Sequence, residues 1–160
     1  MSPAQQIVNH LQKLTDKSGS QLSEAPEATQ KWLYEHSHLP LELVGILSQS
    51  WPREDVSVGV YDLWSIDHLS DSERAKIAFK GGFFLIGGAG NGDLLVVRRC
   101  PAPIENCEIG LISHEELWQQ EPALEGIYAP ICCGFMTFLD AANDGKLPVD
   151  FYDARQRNSA

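Results

Sequence analysis

The chain has 160 residues, of which 43% are hydrophobic and 21% are charged, a composition typical of one globular domain with its own hydrophobic core. No segment approaches the ~20 consecutive apolar residues of a membrane span, and the first residues lack the basic start and apolar stretch of a secretion signal. The sequence therefore predicts a single cytoplasmic domain over residues 1–160, with no membrane as a partner.

The formal net charge is -10, from 22 acidic and 12 basic residues. Much of it lies in residues 101–160, where the only bases are Lys146, Arg155 and Arg157. Direct binding to nucleic acid is disfavoured, because phosphate contacts need clustered Lys and Arg side chains. An acidic surface instead attracts a basic protein over long distances, although the same charge also serves simply to keep a protein soluble.

Three helices are predicted in the first 50 residues. The first begins at the capping-box pair Ser2 and Gln5, with Pro3 at an early helical position, and ends at Gly19. The second runs from about Pro26 to His36, and the third begins at Pro40. Their inward-facing residues are predicted from helical spacing to be Ile7, Leu11, Leu14, Trp32, Leu33, Leu43, Ile46 and Leu47.

The period of the pattern then changes to two. Val56, Val58 and Val60 alternate with small residues, which predicts a strand with one buried face. Ser70 and Glu73 repeat the capping-box spacing and predict a short helix that continues through Ile77.

Two apolar arms then surround a glycine-rich turn, which predicts a β-hairpin between Phe83 and Val97. Positive-φ positions for the reversal are expected from the glycines, and the Asp93 carboxylate is expected to fix the turn by accepting backbone N–H bonds. Nucleotide binding is disfavoured, because a strand follows the loop where a phosphate-binding loop would open a helix. The residues assigned to this structural turn are Gly87, Gly88, Gly90, Asn91, Gly92 and Asp93.

After the hairpin, Ile109 to Ile112 predicts another strand. Ser113 and Glu116 form a third capping box, which predicts a helix carrying Leu117 and Trp118, and a last helix is expected between about residues 130 and 143. Its core-facing residues are predicted to be Phe135, Phe138, Leu139 and Ala142. The polar tail over residues 152–160 is predicted to be frayed.

Catalytic and metal-binding motifs are weak. The chain lacks a Gly-x-Ser-x-Gly elbow and a His-Glu-x-x-His motif, and His114-Glu115-Glu116 has no second histidine one helical turn further on. The spacing of the cysteines does not suggest a zinc site. His68 or His114 could in principle join the thiols of Cys100, Cys107, Cys132 and Cys133 as ligands. We expect no enzymatic activity, no cofactor and no metal.

Taken in order, these elements resemble the SUKH superfamily, which includes bacterial immunity proteins and fungal Smi/Knr-type cell-wall regulators. The resemblance covers about residues 24–143. It is carried by the Leu39-Pro40 step between two helices, the Gly-Gly-x-Gly-x-Gly-Asp hairpin ending at Asp93, the strand that runs into Ser113-His114-Glu115, and the closing helix with Phe135, Phe138 and Leu139.

The resemblance implies a single α+β domain, with a mostly antiparallel or mixed β-sheet flanked by helices, that binds a protein rather than catalysing a reaction. Many bacterial members look like antidotes that neutralise a toxin, frequently a nuclease, so a basic toxin domain is the expected partner. Two alternatives remain, a regulatory scaffold for endogenous proteins and a small-ligand sensor or enzyme that uses the glycine-rich loop.

Two acidic patches with aromatic residues are candidates for partner binding. The alternative to a binding role is that each acid is an ordinary solvated side chain and each tryptophan a core residue. The first patch comprises Glu115, Glu116, Trp118, Glu121 and Glu125. The second patch is the alternative, around the first strand, and comprises Glu54, Asp55, Asp62, Trp64 and Asp67.

Overall fold

The computed structural model describes residues 1–117 and 123–159. Its helices within those ranges are α1 (Pro3–Ser18), α2 (Glu27–His36), α3 (Leu41–Gln49), α4 (Ile66–Ser70), α5 (Glu73–Lys80), α6 (Phe135–Asn143) and α7 (Phe151–Asn158). Its strands are β1 (Leu22–Ser23), β2 (Trp51–Pro52), β3 (Val56–Val58), β4 (Tyr61–Leu63), β5 (Phe83–Ala89), β6 (Leu94–Arg98), β7 (Glu108–Ile112) and β8 (Tyr128–Cys133). Short 3₁₀ helices span Ile104–Asn106 and Leu124–Ile127.

The main sheet has six strands in the order β3-β4-β5-β6-β7-β8, and every neighbouring pair is antiparallel. Strands β1 and β2 form a separate antiparallel pair. Helices flank the sheet, so the predicted single-domain α+β fold with an antiparallel sheet is confirmed.

At the central strands β5 and β6 both faces of the sheet are buried, each under a different layer. Side chains such as Leu95 and Val97 join a large cluster with residues of α1, α3 and α6, whereas the alternate residues Leu94 and Val96 join a smaller cluster with residues of α4 and α5. A strand buried on both faces reads as a continuous apolar run. This burial explains why the hairpin arms show no alternation of polar and apolar residues.

Several predicted elements are confirmed in detail. Helix α1 has Ser2 as its N-cap, with the Gln5 N–H donating to Ser2 Oγ at 3.1 Å, and it ends at Gly19 with φ of 75°. The predicted hairpin is β5 and β6, and the predicted strand after it is β7. The four core residues expected in the last helix are all buried in α6.

Two inward-facing assignments are wrong. Val60 does not continue the first strand, because Gly59 adopts φ of 63° and reverses the chain between β3 and β4, which leaves Val60 48% exposed. Trp32 is 40% exposed, and the centroid of its ring lies 5.1 Å from that of the Phe79 ring. Only Leu33 of α2 is buried.

Two capping boxes are also wrong. Ser70 is the last residue of α4, and Ser72 caps α5 instead, accepting a bond from the Ala75 N–H at 3.4 Å. Ser113 does not cap the start of a helix. Residues 114–117 form a turn instead, and the His114 N–H donates to Asp93. The remainder of that predicted helix, from Trp118 onward, lies outside the described residues.

The C-terminal part of the chain differs most from the prediction. Pro130 belongs to strand β8, and the helix begins only at Phe135, after Gly134 with φ of 90°. The tail that was expected to fray forms α7, because Asp150 accepts a capping bond from the Asp153 N–H at 2.8 Å and Phe151 is fully buried.

Candidate functional site

The Asp93 carboxylate lies where the hairpin turn meets two distant segments. It is 1% exposed, and its Oδ2 accepts bonds from the Phe151 N–H at 2.8 Å and from Asn91 Nδ2 at 3.0 Å. Its Oδ1 accepts a bond from the His114 N–H at 3.1 Å and lies 2.6 Å from His114 Nδ1. Asp93 therefore accepts backbone N–H bonds as expected, but these come from residues 21 and 58 positions away rather than from the turn.

These bonds also determine the ionisation of Asp93. Burial by itself raises the pKa of the carboxyl, because it removes water from the charged form. The bonds from Phe151, His114 and Asn91 outweigh burial, and the net result is a pKa below the ordinary value. Asp93 is thus a stably charged carboxylate that joins three segments of the chain.

The Asp93–His114 pair has the geometry by which catalytic sites orient an imidazole. A hydrolytic triad also needs a nucleophilic hydroxyl or thiol bonded to the second ring nitrogen. Among the described residues, no serine, threonine or cysteine side chain forms a hydrogen bond with His114. The contacts that the structure does show for the pair fix the segment after β7 to the hairpin.

The glycines of the hairpin have different roles from those predicted. Gly87 and Gly88 lie within strand β5, and of the four glycines from 87 to 92 only Gly92 has a positive φ, of 98°. A Cβ on Gly87 would lie 1.8 Å from the Asp62 carbonyl oxygen, and one on Gly88 would lie 3.1 Å from Trp64 Cζ2. Gly87 and Gly88 therefore permit the close approach of β4 and Trp64.

The loop that joins β5 and β6 satisfies several of its own N–H groups. The Ala89 N–H donates to the Asp93 carbonyl at 2.9 Å, the Gly92 N–H to the Ala89 carbonyl at 3.0 Å, and the Asp93 N–H to Asn91 Oδ1 at 3.1 Å. A phosphate-binding loop instead points its N–H groups at the ligand. This geometry favours a turn over a nucleotide site.

The second acidic patch lies beside the β3–β4 hairpin at one edge of the main sheet, and we call it the β3–β4 rim (Glu54, Asp55, Asp62, Trp64 and Asp67). Asp62 pairs with Ser57 across the hairpin, and Ser57 Oγ donates to Asp62 Oδ1 at 2.9 Å. Both side chains are exposed, because the alternate residues of these strands face the core. The rim therefore presents polar groups on an ordered surface.

The β3–β4 rim includes a tryptophan whose ring is part of an aromatic stack. The ring of Trp64 is stacked on that of His68, with centroids 4.0 Å apart and planes at 12°. The carboxylate of Asp55 holds this arrangement, since its Oδ2 lies 2.8 Å from His68 Nδ1 and its Oδ1 accepts the Ser65 N–H at 2.8 Å. Trp64, half-buried over Gly88, is thus fixed from two sides. The sequence did not predict that His68 stacks on Trp64 and contacts Asp55.

The other three acids of the β3–β4 rim keep an uncompensated charge. Glu54, Asp62 and Asp67 are exposed, and within residues 1–117 and 123–159 none of them forms an ion pair. Asp62 pairs with Gly88, over which the Trp64 ring lies, and Glu54 and Asp67 are next in sequence to Asp55 and His68. That combination suits a protein interface with an aromatic anchor and a charged border.

The first acidic patch is engaged within the molecule. Glu125 Oε1 lies 2.5 Å from Arg98 Nη1, and this hydrogen-bonded ion pair lowers the pKa of the Glu125 carboxyl. The same guanidinium pairs with Glu108 at 3.2 Å and lies over the rings of Phe83 and Tyr128. Glu125 therefore shares the Arg98 cation with Glu108 inside the fold.

Two further acids of that patch are described. Glu115 is exposed and accepts a bond from the Tyr152 hydroxyl at 3.0 Å, which ties it to α7. Glu116 is half-buried. The remaining two candidates, Trp118 and Glu121, lie outside the described residues. The structure thus connects Asp55 of the second patch to Trp64 through His68, and it gives Glu115 and Glu125 of the first patch partners inside the fold.

The cysteines do not form a metal centre in the part of the chain that the structure describes, where no group of three or more His, Cys, Asp or Glu side chains is placed to hold a metal ion. The Cys107 thiol is buried, which raises its pKa to about 12, whereas Cys100 and Cys133 are exposed.

No family model, curated protein or solved structure matches the chain. Within the described ranges, no helix combines the length and the apolar character needed to cross a membrane.

Proposed function

We propose that this chain is a SUKH-like, non-catalytic protein-binding domain that acts as an immunity protein, neutralising a basic bacterial toxin domain. The β3–β4 rim is the proposed contact surface. The observation that carries the proposal is the fixed Trp64–His68 stack in a rim whose Glu54, Asp62 and Asp67 are exposed and form no ion pair within the described residues.

The relation to the SUKH superfamily rests on the order of the elements and on one contact. Leu39 and Pro40 separate α2 from α3, and the glycine-rich hairpin precedes the strand that leads to His114. The most specific part of that resemblance, the hairpin, contacts one of its supporting parts, because Asp93 at the end of the hairpin bonds both the backbone and the ring of His114. This contact gives the separate motifs a common structural purpose.

The physical basis of the proposed binding is electrostatic steering onto a fixed anchor. Nucleases bind phosphates through clustered cations, so a nuclease toxin presents a basic surface. An acidic partner accelerates association with such a surface, and a rigid aromatic side chain supplies contact area at a low entropic cost. The net charge of -10 and the stacked Trp64 meet these two requirements.

The first experiment is purification of the tagged chain from its native host, grown with and without contact with kin cells, followed by identification of bound proteins. The proposal requires a stoichiometric basic protein that stops growth when it is expressed alone and is harmless when it is co-expressed with this chain. A set of bound housekeeping proteins with no such toxicity would support the scaffold alternative and contradict the proposal.

The contact surface is tested on the same growth assay by reversing three rim charges, Glu54→Lys, Asp62→Lys and Asp67→Lys. The matched control reverses three exposed acids outside the rim, Asp16→Lys, Glu24→Lys and Glu105→Lys. Both variants change the net charge by the same amount. We expect the rim variant to lose protection and the control to keep it, whereas equal behaviour of the two would exclude the rim as the contact surface.

A further inference from the structure

A groove opens between the helices on the side of the molecule where strand β4 is short. Strand β4 pairs with β5 only at Gly87–Ala89, and after the Trp64 N–H has donated to the Ile86 carbonyl the chain turns into α4. Among residues 1–117 and 123–159, the first half of β5 therefore has no strand beside it on that side. The space is a cavity of about 710 Å³, and we call it the α2–α5 groove, lined among others by Trp32, Ile66, Ile77, Phe79, Phe84 and Leu85.

The lining of the α2–α5 groove is mostly apolar and is not fully covered. Trp32 is 40% exposed, and Ile66, Ile77, Phe79 and Phe84 are partly exposed. Water contact with this many neighbouring apolar side chains is unfavourable by ~25 cal/mol per Å² of apolar surface. A ligand with an apolar body would remove that cost.

Arg99 bonds both helices that form the walls of the groove, α2 and α5. Its Nε donates to the Ser37 carbonyl at 3.0 Å and its Nη2 to the His36 carbonyl at 3.1 Å, both at the end of α2. Its Nη1 donates to the Phe79 carbonyl of α5 at 3.0 Å, and the guanidinium lies 3.5 Å from the centroid of the Phe79 ring. The groove is therefore formed without a ligand, as small-molecule sites usually are.

The charge at the edge of the groove is opposite to that of the whole chain. Lys76 and Lys80 both line the cavity, and Lys76 pairs with Glu73 at 3.2 Å. Lys80 forms no ion pair with any residue that the structure describes. In a chain of net charge -10, a lysine without an acidic partner at the edge of an apolar cavity is the natural position for a negatively charged group of a ligand.

We propose that the α2–α5 groove binds a small amphipathic organic anion, with its alkyl or aromatic body against Trp32, Phe79 and Ile77 and its anionic group at Lys80. The cavity volume lies within the range of roughly 300–1,000 Å³ found for small-molecule sites. This binding site differs from the glycine-rich loop that the sequence offered for a small ligand. It also does not depend on the proposed immunity function, because it lies on residues other than those of the β3–β4 rim.

The test uses dodecanoate as the probe, kept below its micelle concentration, with dodecanol as the neutral compound of the same chain length. Isothermal titration calorimetry on the full chain should give saturable binding of one dodecanoate. In NMR spectra, the indole signal of Trp32 should shift during the titration while that of the buried Trp51 stays in place. Dodecanol should bind at least tenfold more weakly.

Three variants decide between the proposal and non-specific binding. Lys80→Gln should weaken dodecanoate binding about tenfold without changing the affinity for dodecanol, since it removes only the charge at the groove. The control Lys17→Gln removes an exposed lysine from α1 and should have no effect. Trp32→Ala, whose folding is checked by circular dichroism, should weaken binding of both compounds because the exposed ring forms one wall.

Equal dodecanoate affinity in Lys80→Gln and Lys17→Gln would overturn the proposal, as would binding that never saturates. Sedimentation at rising protein concentration tests a further outcome, in which the chain forms a dimer that Trp32→Ala abolishes. Such a dimer would mean that a second copy of the chain covers the groove, and it would also overturn the proposal.

Discussion

Asp93 and Asp62 are two aspartates with opposite surroundings. Asp93 is 1% exposed and its carboxylate is bonded by Phe151, His114 and Asn91, which fixes the hairpin to two later segments. Asp62 is exposed, and within the described residues its side chain accepts only the Ser57 hydroxyl at 2.9 Å. Both lie next to the glycine-rich strand β5, one at its end and the other on the neighbouring strand.

The difference shows that a carboxylate stabilises the fold only where the protein has replaced its water. At Asp93 the chain supplies two backbone N–H groups and two side-chain donors in place of solvent, so loss of the carboxylate leaves buried donors without an acceptor. At Asp62 water can replace Ser57, so the charge remains available to a partner. The buried site belongs to the fold and the exposed site is free to serve binding.

The largest effect is expected at Asp93. We expect Asp93→Ala to lower the free energy of unfolding by about 3 kcal/mol, because the N–H groups of Phe151 and His114 are left buried without an acceptor. Asp62→Ala, the matched substitution at the exposed site, should change it by less than about 0.5 kcal/mol. Urea denaturation followed by circular dichroism measures both. Equal stability of the Asp93 variant and the parent would contradict the structural role of this carboxylate.

The next effect separates two glycines of the same motif. Gly87→Ala should lower the free energy of unfolding by about 2 kcal/mol or more, because the new Cβ would lie 1.8 Å from the Asp62 carbonyl oxygen and would push β4 away from β5. At Gly90 the nearest atom is 3.9 Å away, so Gly90→Ala should cost less than about 1 kcal/mol. Thermal unfolding of the two variants gives the comparison, and a larger loss for Gly90→Ala would show that the turn, not the strand pairing, requires glycine.

Local patterns in the sequence were sufficient for much of the fold. The Ser2 cap, the hairpin arms and the apolar spacing in α6 depend on residues close together in the chain, and the structure confirms them. The errors arise where distant residues decide. The backbone of His114 is held by Asp93, 21 positions away, so the Ser113 capping pattern had a competitor that no local rule reveals. Burial of Phe151 likewise stabilises α7 despite its polar sequence.

The candidate site was only half determined by the sequence. Composition indicated two acidic patches that each combine acids with a tryptophan, the first of them as the leading candidate and the second as the alternative. What separates them is the position of cations and hydroxyls from elsewhere in the chain, such as Arg98 beside Glu125 and Tyr152 beside Glu115. The α2–α5 groove was missed because Trp32 has helical spacing typical of a core residue, and only the packing of α2 shows it to be exposed.

The smallest expected effect is the pH dependence that Asp93 contributes, since it measures only the difference in pKa between the folded and unfolded states. The folded pKa is below the ordinary value because the bonds from Phe151, His114 and Asn91 outweigh burial, so below about pH 4 the unfolded chain binds more protons at this position than the folded chain does. Stability from Asp93 is therefore present above that pH and is lost as the pH falls through the folded pKa. The stability difference between the parent and Asp93→Asn should shrink as the pH falls below about 4. A difference that stays constant from pH 4 to pH 3 would mean that the carboxylate has the same pKa in the folded and unfolded chains, and hence that the bonds from Phe151, His114 and Asn91 do not outweigh burial.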